Sequence, residues 1–101
     1  MSTAYSTDLP AHFLKRSQRI TVYPNLVSLK QFWLQLYNID NCVFTIQLYT
    51  LTGYEVFRRF FYHANFCSNH TIKLPEKLER GIYKLVICCD EIRYTQPLVV
   101  V

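Results

Sequence analysis

The sequence predicts an all-β fold, an immunoglobulin-like antiparallel β-sandwich of about seven short strands. Apolar residues alternate with polar ones in several short segments, which places the apolar set on one face of a strand. Turn-forming residues separate these segments, and no long helix or internal repeat interrupts them. With 101 residues, half of them hydrophobic, the chain is expected to form one domain with a modest core.

The predicted fold is organised around a hairpin between residues 44 and 61. Its first arm carries three alternating apolar residues, Phe44, Ile46 and Leu48. Gly53, one of two glycines in the chain, lies where the direction reverses, and glycine adopts positive φ without steric cost. The second arm, residues 55–61, is rich in the β-branched and aromatic residues that suit a half-buried sheet.

The other elements follow from the same patterns. Residues 1–18 are predicted to be an N-terminal arm or linker, and residues 19–101 the sandwich domain. The remaining predicted strands cover residues 19–23, 31–37, 70–74, 82–89 and 92–101. Residues 63–69 are predicted to be a polar loop, and residues 75–80 could form one helical turn. Pro97 interrupts the last strand and favours a local edge position, because proline cannot donate to a ladder.

The chain has more aromatic residues than a single core of this size needs. If Phe32, Leu34 and Leu36 face inward together with the first hairpin arm, other aromatic residues face outward and suggest a contact surface. This outward set is Trp33, Tyr37, Tyr49 and some of Phe57 or Phe61. The alternative is a central strand that is covered on both faces.

Composition excludes several function classes. Two glycines cannot form a P-loop or a dinucleotide fingerprint. The net charge of +4 permits an anionic partner but is also that of an ordinary surface.

No stretch is long and apolar enough to span a bilayer, and residues 1–10 lack a signal-peptide pattern. We therefore expect a cytoplasmic protein if Met1 is the native start, or an exported domain without its leader.

The four cysteines, Cys42, Cys67, Cys88 and Cys89, match no small disulfide framework. We expect mostly buried free thiols, with a single bridge such as Cys42–Cys67 as the alternative. Neither a metal nor a cofactor is expected, although His63-x3-Cys67-x2-His70 has metal-ligand residue types. An ordinary loop is the interpretation that we prefer for that cluster.

Neither nucleic-acid binding nor catalysis is expected. Arg58 and Arg59 lie among aromatic residues, a mix that can bind nucleic acid. Strand alternation sends the two arginines to opposite faces, so no nucleic-acid partner is expected. No nucleophile elbow or other catalytic signature occurs, and we expect no enzyme activity.

Several short motifs, in order along the chain, resemble the type A C-terminal sorting domain of the type IX secretion system. Tyr23-Pro24-Asn25 resembles the opening of that family, and residues 49–54, which include Gly53, resemble its Tyr-Asp-x-x-Gly-Arg turn. Residues 78–83, with Gly81 and Tyr83, resemble its Leu-x-x-Gly-x-Tyr segment, and a basic residue before an apolar strand closes the pattern. Leu26, Thr50 and Tyr54 stand where the family pattern has proline, aspartate and arginine.

The resemblance covers roughly residues 19–101 and implies an immunoglobulin-like sandwich that directs an exported protein across the outer membrane to the cell surface. Secretion-machinery proteins of the outer membrane would be the partners. The recognition residues that it implies are Arg93, Leu98, Val99, Val100 and Val101.

A second hypothesis is a structural or surface-assembly subunit that forms a homo-oligomer. It would use the outward aromatic residues and Leu98–Val101 as an apolar edge strand. A carbohydrate- or nucleic-acid-binding module on the same fold is a third interpretation, which rests on fold analogy and on the mix of aromatic and basic residues.

Overall fold

The structure is a computed structural model that describes residues 17–24, 26–90 and 92–101. Its strands are β1 (Arg19–Tyr23), β2 (Leu26–Val27), β3 (Gln31–Tyr37), β4 (Cys42–Thr50), β5 (Glu55–His63), β6 (Cys67–Lys73), β7 (Gly81–Cys89) and β8 (Ile92–Val100). No helix in these residues has the length and apolar character needed to cross a membrane. Residues 1–16 of the predicted arm lie outside the described residues.

The strands form two sheets, one in the order β1-β3-β6 and one in the order β2-β8-β7-β4-β5. Every pairing is antiparallel except that of β2 with β8, which is parallel. The predicted all-β sandwich is therefore confirmed. The eighth strand is the two-residue β2, in a segment that the sequence suggested was only a connection.

One core lies between the sheets. In β3 and β4 alternate residues are buried, as the period of a strand requires. The inward residues of both sheets belong to one buried cluster, which includes Ile20, Val22, Phe32, Leu34, Leu36, Phe44, Ile46, Leu48, Ile72, Leu85 and Ile87. Each fully buried apolar side chain contributes roughly 1.5–3 kcal/mol relative to an exposed one.

The connection between β5 and β6 is shorter than predicted. Instead of a loop over residues 63–69, β5 continues to His63 and β6 begins at Cys67, so residues 64–66 make the turn. Asn65 and Phe66 both have positive φ, 63° and 64°. The side-chain oxygen of Asn41 accepts a hydrogen bond from the Asn65 N–H at 2.9 Å, which anchors this tight reversal.

Residues 75–80 form a turn and not a helical one. The Leu78 N–H donates to the Pro75 carbonyl at 3.1 Å. The Lys30 ammonium donates to the Glu76 carbonyl at 3.1 Å and to the Leu78 carbonyl at 2.8 Å. A long-range contact therefore fixes a segment that is too short to be helical on its own.

Cys42 and Cys89 form a disulfide, with their Cα atoms 6.5 Å apart. The preferred expectation of free thiols is wrong for these two residues. The alternative of a single bridge is right in number, but the partner of Cys42 is Cys89 and not Cys67. Cys42 and Cys89 occupy inward positions on the neighbouring strands β4 and β7, whereas Cys67 is an exposed residue of β6. Cys88 also remains a free thiol.

Candidate partner-binding site

The two ends of the sorting-domain pattern meet at one edge of the five-stranded sheet. Leu26 pairs with Val99 and Val27 with Val100, in parallel register. The Val101 N–H extends this pairing by donating to the Val27 carbonyl at 2.9 Å. The Tyr23-Pro24 segment, whose peptide bond is cis, thus leads directly into a strand that lies against the C-terminal segment. Asn25 lies outside the described residues.

The other two motifs approach from the opposite side of β8. Gly81 pairs with Val100 and Tyr83 with Leu98, while on the far side of β7 Tyr83 pairs with Thr50. Thr50 is the last residue of β4 and precedes the turn that contains Gly53. We call the four segments that meet here, Leu26–Val27, residues 50–54, Gly81–Tyr83 and Leu98–Val101, the motif end.

Local chemistry explains the turn at Gly53. This glycine has a φ of 99°, a left-handed conformation that strains residues with a side chain. Its N–H donates to the Thr50 carbonyl at 3.0 Å, and the Tyr54 N–H donates to the Thr50 hydroxyl at 3.0 Å. Thr50 therefore keeps a side-chain acceptor at the position where the family pattern has aspartate.

Tyr83 is a structural residue of the motif end. Its ring is buried, and its hydroxyl donates to the Glu79 carbonyl at 2.6 Å. A buried phenol needs such a partner, since an unpaired polar atom in the core would cost free energy. This contact ties the turn at residues 75–80 to β7, immediately after Gly81.

The C-terminal segment is not the free edge strand that the sequence suggested. Leu98 is 0% and Val100 1% exposed, and β7 and β2 flank the segment on its two sides. Pro97 has no partner in β2, so the edge position predicted for it holds locally. Val101, which is 51% exposed, and the half-buried Val99 remain the accessible residues of this segment.

Arg93 reaches the motif end across the outer face of the sheet, the side away from the core. It is exposed, and its Nη1 lies 3.9 Å from the Cys88 sulfur. With Lys84 it contributes two cations to a shallow cavity of about 340 Å³. The other lining residues are Tyr49, Thr50, Leu51, Gly53 and Val86, so none of the described residues that line this cavity is a carboxylate.

An apolar hollow adjoins this cationic cavity. Its volume is about 310 Å³, and it shares Leu51 and Lys84 with the first cavity. Leu51 is 73% and Ile82 53% exposed, and Pro97 completes the apolar lining. Sequence reasoning missed Lys84, Leu51 and Ile82, although strand alternation already placed Lys84 opposite the inward Tyr83.

The acidic residue that lies nearest to Lys84 in the strand register already has a charged partner. Glu55 forms an ion pair with Arg58 at 2.8 Å and accepts a hydrogen bond from Gln47 at 2.9 Å. These contacts, that of Arg58 first, lower the pKa of the Glu55 carboxyl. Lys84 has neither an ion pair nor a side-chain hydrogen bond within the described residues, so its charge is open to a partner.

The histidine and cysteine cluster is not a metal site within the described residues. Cys67 is exposed, whereas His63 is fully buried. The Nε2 of His63 lies 2.7 Å from the Ile39 carbonyl, to which it donates, and its Nδ1 lies 2.6 Å from the Ser68 hydroxyl. His70 Nε2 is 3.0 Å from the same hydroxyl. No sequence pattern indicated that Ser68 would lie between the two histidines.

The two arginines of β5 point to opposite faces, as alternation predicted. Arg58 pairs with Glu55 on the outer face, and Arg59 donates to the Thr71 carbonyl at 3.5 Å, toward the other sheet. Because the cations are separated and one is paired, β5 presents no continuous basic surface.

The predicted outward aromatic residues are only partly outward. Trp33 and Tyr37 are exposed and Tyr49 is half-buried. Phe57 and Phe61 instead pack against the core, because they pair with the inward Leu48 and Phe44. The β5 residues that face outward are Arg58, Phe60 and Tyr62, which pair with Gln47, Thr45 and Val43.

Comparison with known proteins gives no family assignment. No family model matches the chain, and no curated protein matches it. Among solved structures it is similar to the CARDB domain of the PF1109 protein from Pyrococcus furiosus, whose crystal structure is described as a complex with di-metal ions. The two are 15% identical with a TM-score of 0.47, over 98% of this chain and 100% of that one. The fold class given above rests on the strand pairing of this chain.

Proposed function

We propose that this chain is a non-enzymatic sorting domain of the type IX kind, which directs an attached protein across the outer membrane to the cell surface. The observation that supports this best is the convergence of four motif segments, far apart in the sequence, at the motif end. The strand pairing makes the turn after β4, the start of β7, the end of β8 and β2 neighbours at one end of the sheet, so a partner could contact all four segments together.

The motif end has the features of a docking surface. Leu98 and Val100 anchor the segment in the core, while Leu51 and Ile82 expose apolar surface beside Lys84 and Arg93. A hydrophobic centre with charged residues at its border is typical of protein–protein interfaces. Secretion-machinery proteins are the partners that the proposal implies.

The disulfide supports an exported location. Cys42–Cys89 closes the end of the sandwich that is formed by the start of β4 and the end of β7. Disulfides form and persist mainly in oxidising compartments outside the cytoplasm. The proposal therefore places the folded domain in the periplasm first and at the cell surface afterwards.

The experiment is a fusion of the whole chain behind a periplasmic reporter, expressed in a host that has the type IX machinery. The reporter is expected at the cell surface. Leu51→Asp with Ile82→Asp should reduce surface reporter about tenfold, equivalent to a loss of about 1.4 kcal/mol of recognition. Phe60→Asp, an equally exposed change on β5, is the matched control and should be exported normally. A folded reporter that stays in the periplasm would contradict the proposal.

A second candidate is self-association through β5. Within the part of the chain that the structure describes, this strand pairs with β4 alone, and Phe60 and Tyr62 are exposed on its outer face. The central Arg58 and Arg59 oppose it, because charged residues on an edge strand discourage strand addition. Sedimentation velocity distinguishes the two candidates: a concentration-dependent dimer that Phe60→Asp abolishes supports this one, and a monomer at every concentration rejects it.

A further inference from the structure

The outer face of the three-stranded sheet has a regular arrangement that the sorting function does not use. The pairing registers place its side chains in rows across the strands. One row holds Arg19, Tyr37 and Cys67, the next holds Thr21, Gln35 and Asn69, and the third holds Tyr23, Trp33 and Thr71. Two aromatic rows therefore border a row of hydroxyl and amide groups.

The rings at both borders are held in place. Tyr23 and Trp33 stack with their centroids 5.9 Å apart and their planes 20° from parallel. At the other border the Arg19 guanidinium lies 5.4 Å from the centroid of Tyr37. Trp33 and Tyr37 are 38% and 49% exposed. Four residues apart on β3, they lie roughly 13 Å from each other.

The polar row between the borders has free hydrogen-bonding groups. Thr21, Gln35 and Asn69 make no side-chain hydrogen bond within the described residues. A cavity of about 370 Å³ opens here, lined by Arg19, Thr21, Gln35 and Tyr37. An aromatic side chain lines it on one side, and amide and hydroxyl groups line it on another.

We propose that this face binds an uncharged carbohydrate chain. A sugar ring has an apolar C–H face, which stacks on an aromatic ring, and hydroxyl groups at its edge, which exchange hydrogen bonds with amides. Two aromatic borders with a polar row between them provide both kinds of contact over the length of a short oligosaccharide. This binding is separate from the sorting function, which uses the other sheet.

A nucleic acid fits the face less well. Binding to its phosphates requires several cations along one path. Among the described residues, the cations of this face are Arg19, which is already engaged by Tyr37, and Lys73, which pairs with Gln31 beyond the opposite aromatic row.

A protein partner also fits less well. Protein interfaces have an apolar centre and a polar rim, and here the order is reversed. The polar row is central, and the aromatic rows lie on either side of it.

Trp33 is the single tryptophan of the chain, so its intrinsic fluorescence reports this face alone. The full chain is titrated with hexasaccharides of cellulose, starch, xylan, mannan and chitin, and separately with oligothymidylate. We expect a saturable change with at least one neutral oligosaccharide and little dependence on salt. Tyr37→Ala and Gln35→Ala, which keep the fluorophore, should each raise the Kd about tenfold. Phe60→Ala, on the other sheet, should leave the Kd unchanged.

Trp33→Ala is measured by affinity electrophoresis, in gels that contain the polysaccharide form of the oligosaccharide that binds. Loss of retardation supports the proposal if the circular dichroism spectrum stays native. Three results would overturn it: no response to any of the sugars, binding that is insensitive to both Tyr37→Ala and Trp33→Ala, or a preference for oligothymidylate that disappears in salt.

Discussion

The outer faces of the two sheets differ much more than their inner faces do. Inside, both sheets contribute mainly aliphatic and phenylalanine side chains to one buried cluster. Outside, the five-stranded sheet combines Lys84 and Arg93 with exposed apolar residues at the motif end. The three-stranded sheet instead presents aromatic and amide residues in rows. The inward residues of the strands build the shared core, and the outward residues carry the two separate functions that we propose.

Two outward-facing residues on central strands, one from each sheet, differ in their exposure to solvent. Val86 of β7 is 1% exposed, because Gln47 and Thr95 pair with it from either side. Gln35 of β3, which has a longer side chain than Val86, lies between Thr21 and Asn69 and remains exposed. The length of an outward side chain relative to its neighbours therefore contributes to whether it can meet a partner.

The largest expected effect comes from a substitution in the core, which both sheets share. Phe44 is fully buried and packs against Phe61, with centroids 5.6 Å apart, and against His63 at 5.9 Å. Phe44→Ala should lower the free energy of unfolding by about 3–5 kcal/mol, because it leaves a cavity in the shared core. Urea denaturation followed by circular dichroism measures this. The exposed Phe60→Ala should change it by less than about 0.5 kcal/mol, and an equal loss would refute the assignment of inner and outer faces on β5.

The next effect concerns the disulfide, which joins β4 and β7 within one sheet. Replacing Cys42 and Cys89 together with alanine should cost about 2–4 kcal/mol, because the bridge constrains the unfolded chain across 47 residues. Cys67→Ser, at an exposed free thiol, is the control and should be neutral. Mass spectrometry that finds four alkylatable thiols in the protein folded under oxidising conditions would contradict the bridge.

The smallest effect is a pH dependence at the polar contact between the sheets. Burial first, then the charges of His63 and Arg59, lower the pKa of His70. The folded state then binds fewer protons than the unfolded state, whose histidine pKa is about 6.5. Stability should be constant above that pH and fall as the pH decreases from it toward the lower folded pKa. His70→Gln should flatten the curve in denaturation series at several pH values, and an unchanged slope would reject this explanation.

Alternation made much of the fold predictable from the sequence. The β3 strand was predicted with the bounds it has, since its residues alternate without interruption. Gly53 and Pro97 also marked a turn and a local edge correctly, since each residue has one dominant backbone constraint.

Features that depend on the register between strands could not be predicted from single segments of the sequence. The faces of Phe57 and Phe61 depend on how the turn aligns β5 with β4, and a shift of one residue reverses them. The turn at residues 64–66 places Phe66 at positive φ, which the composition does not signal. The partner of Cys42 lies 47 residues away, so only the adjacency of β4 and β7 reveals it.

The pairing of β2 with the C-terminal segment is the contact on which the motif end depends. Solution NMR of the full chain tests it most directly. We predict nuclear Overhauser contacts between Leu26–Val27 and Val99–Val100, together with slow exchange of the Val101 amide, which donates to Val27. A C-terminal segment that shows neither, in a protein whose other strands are ordered, would contradict the account.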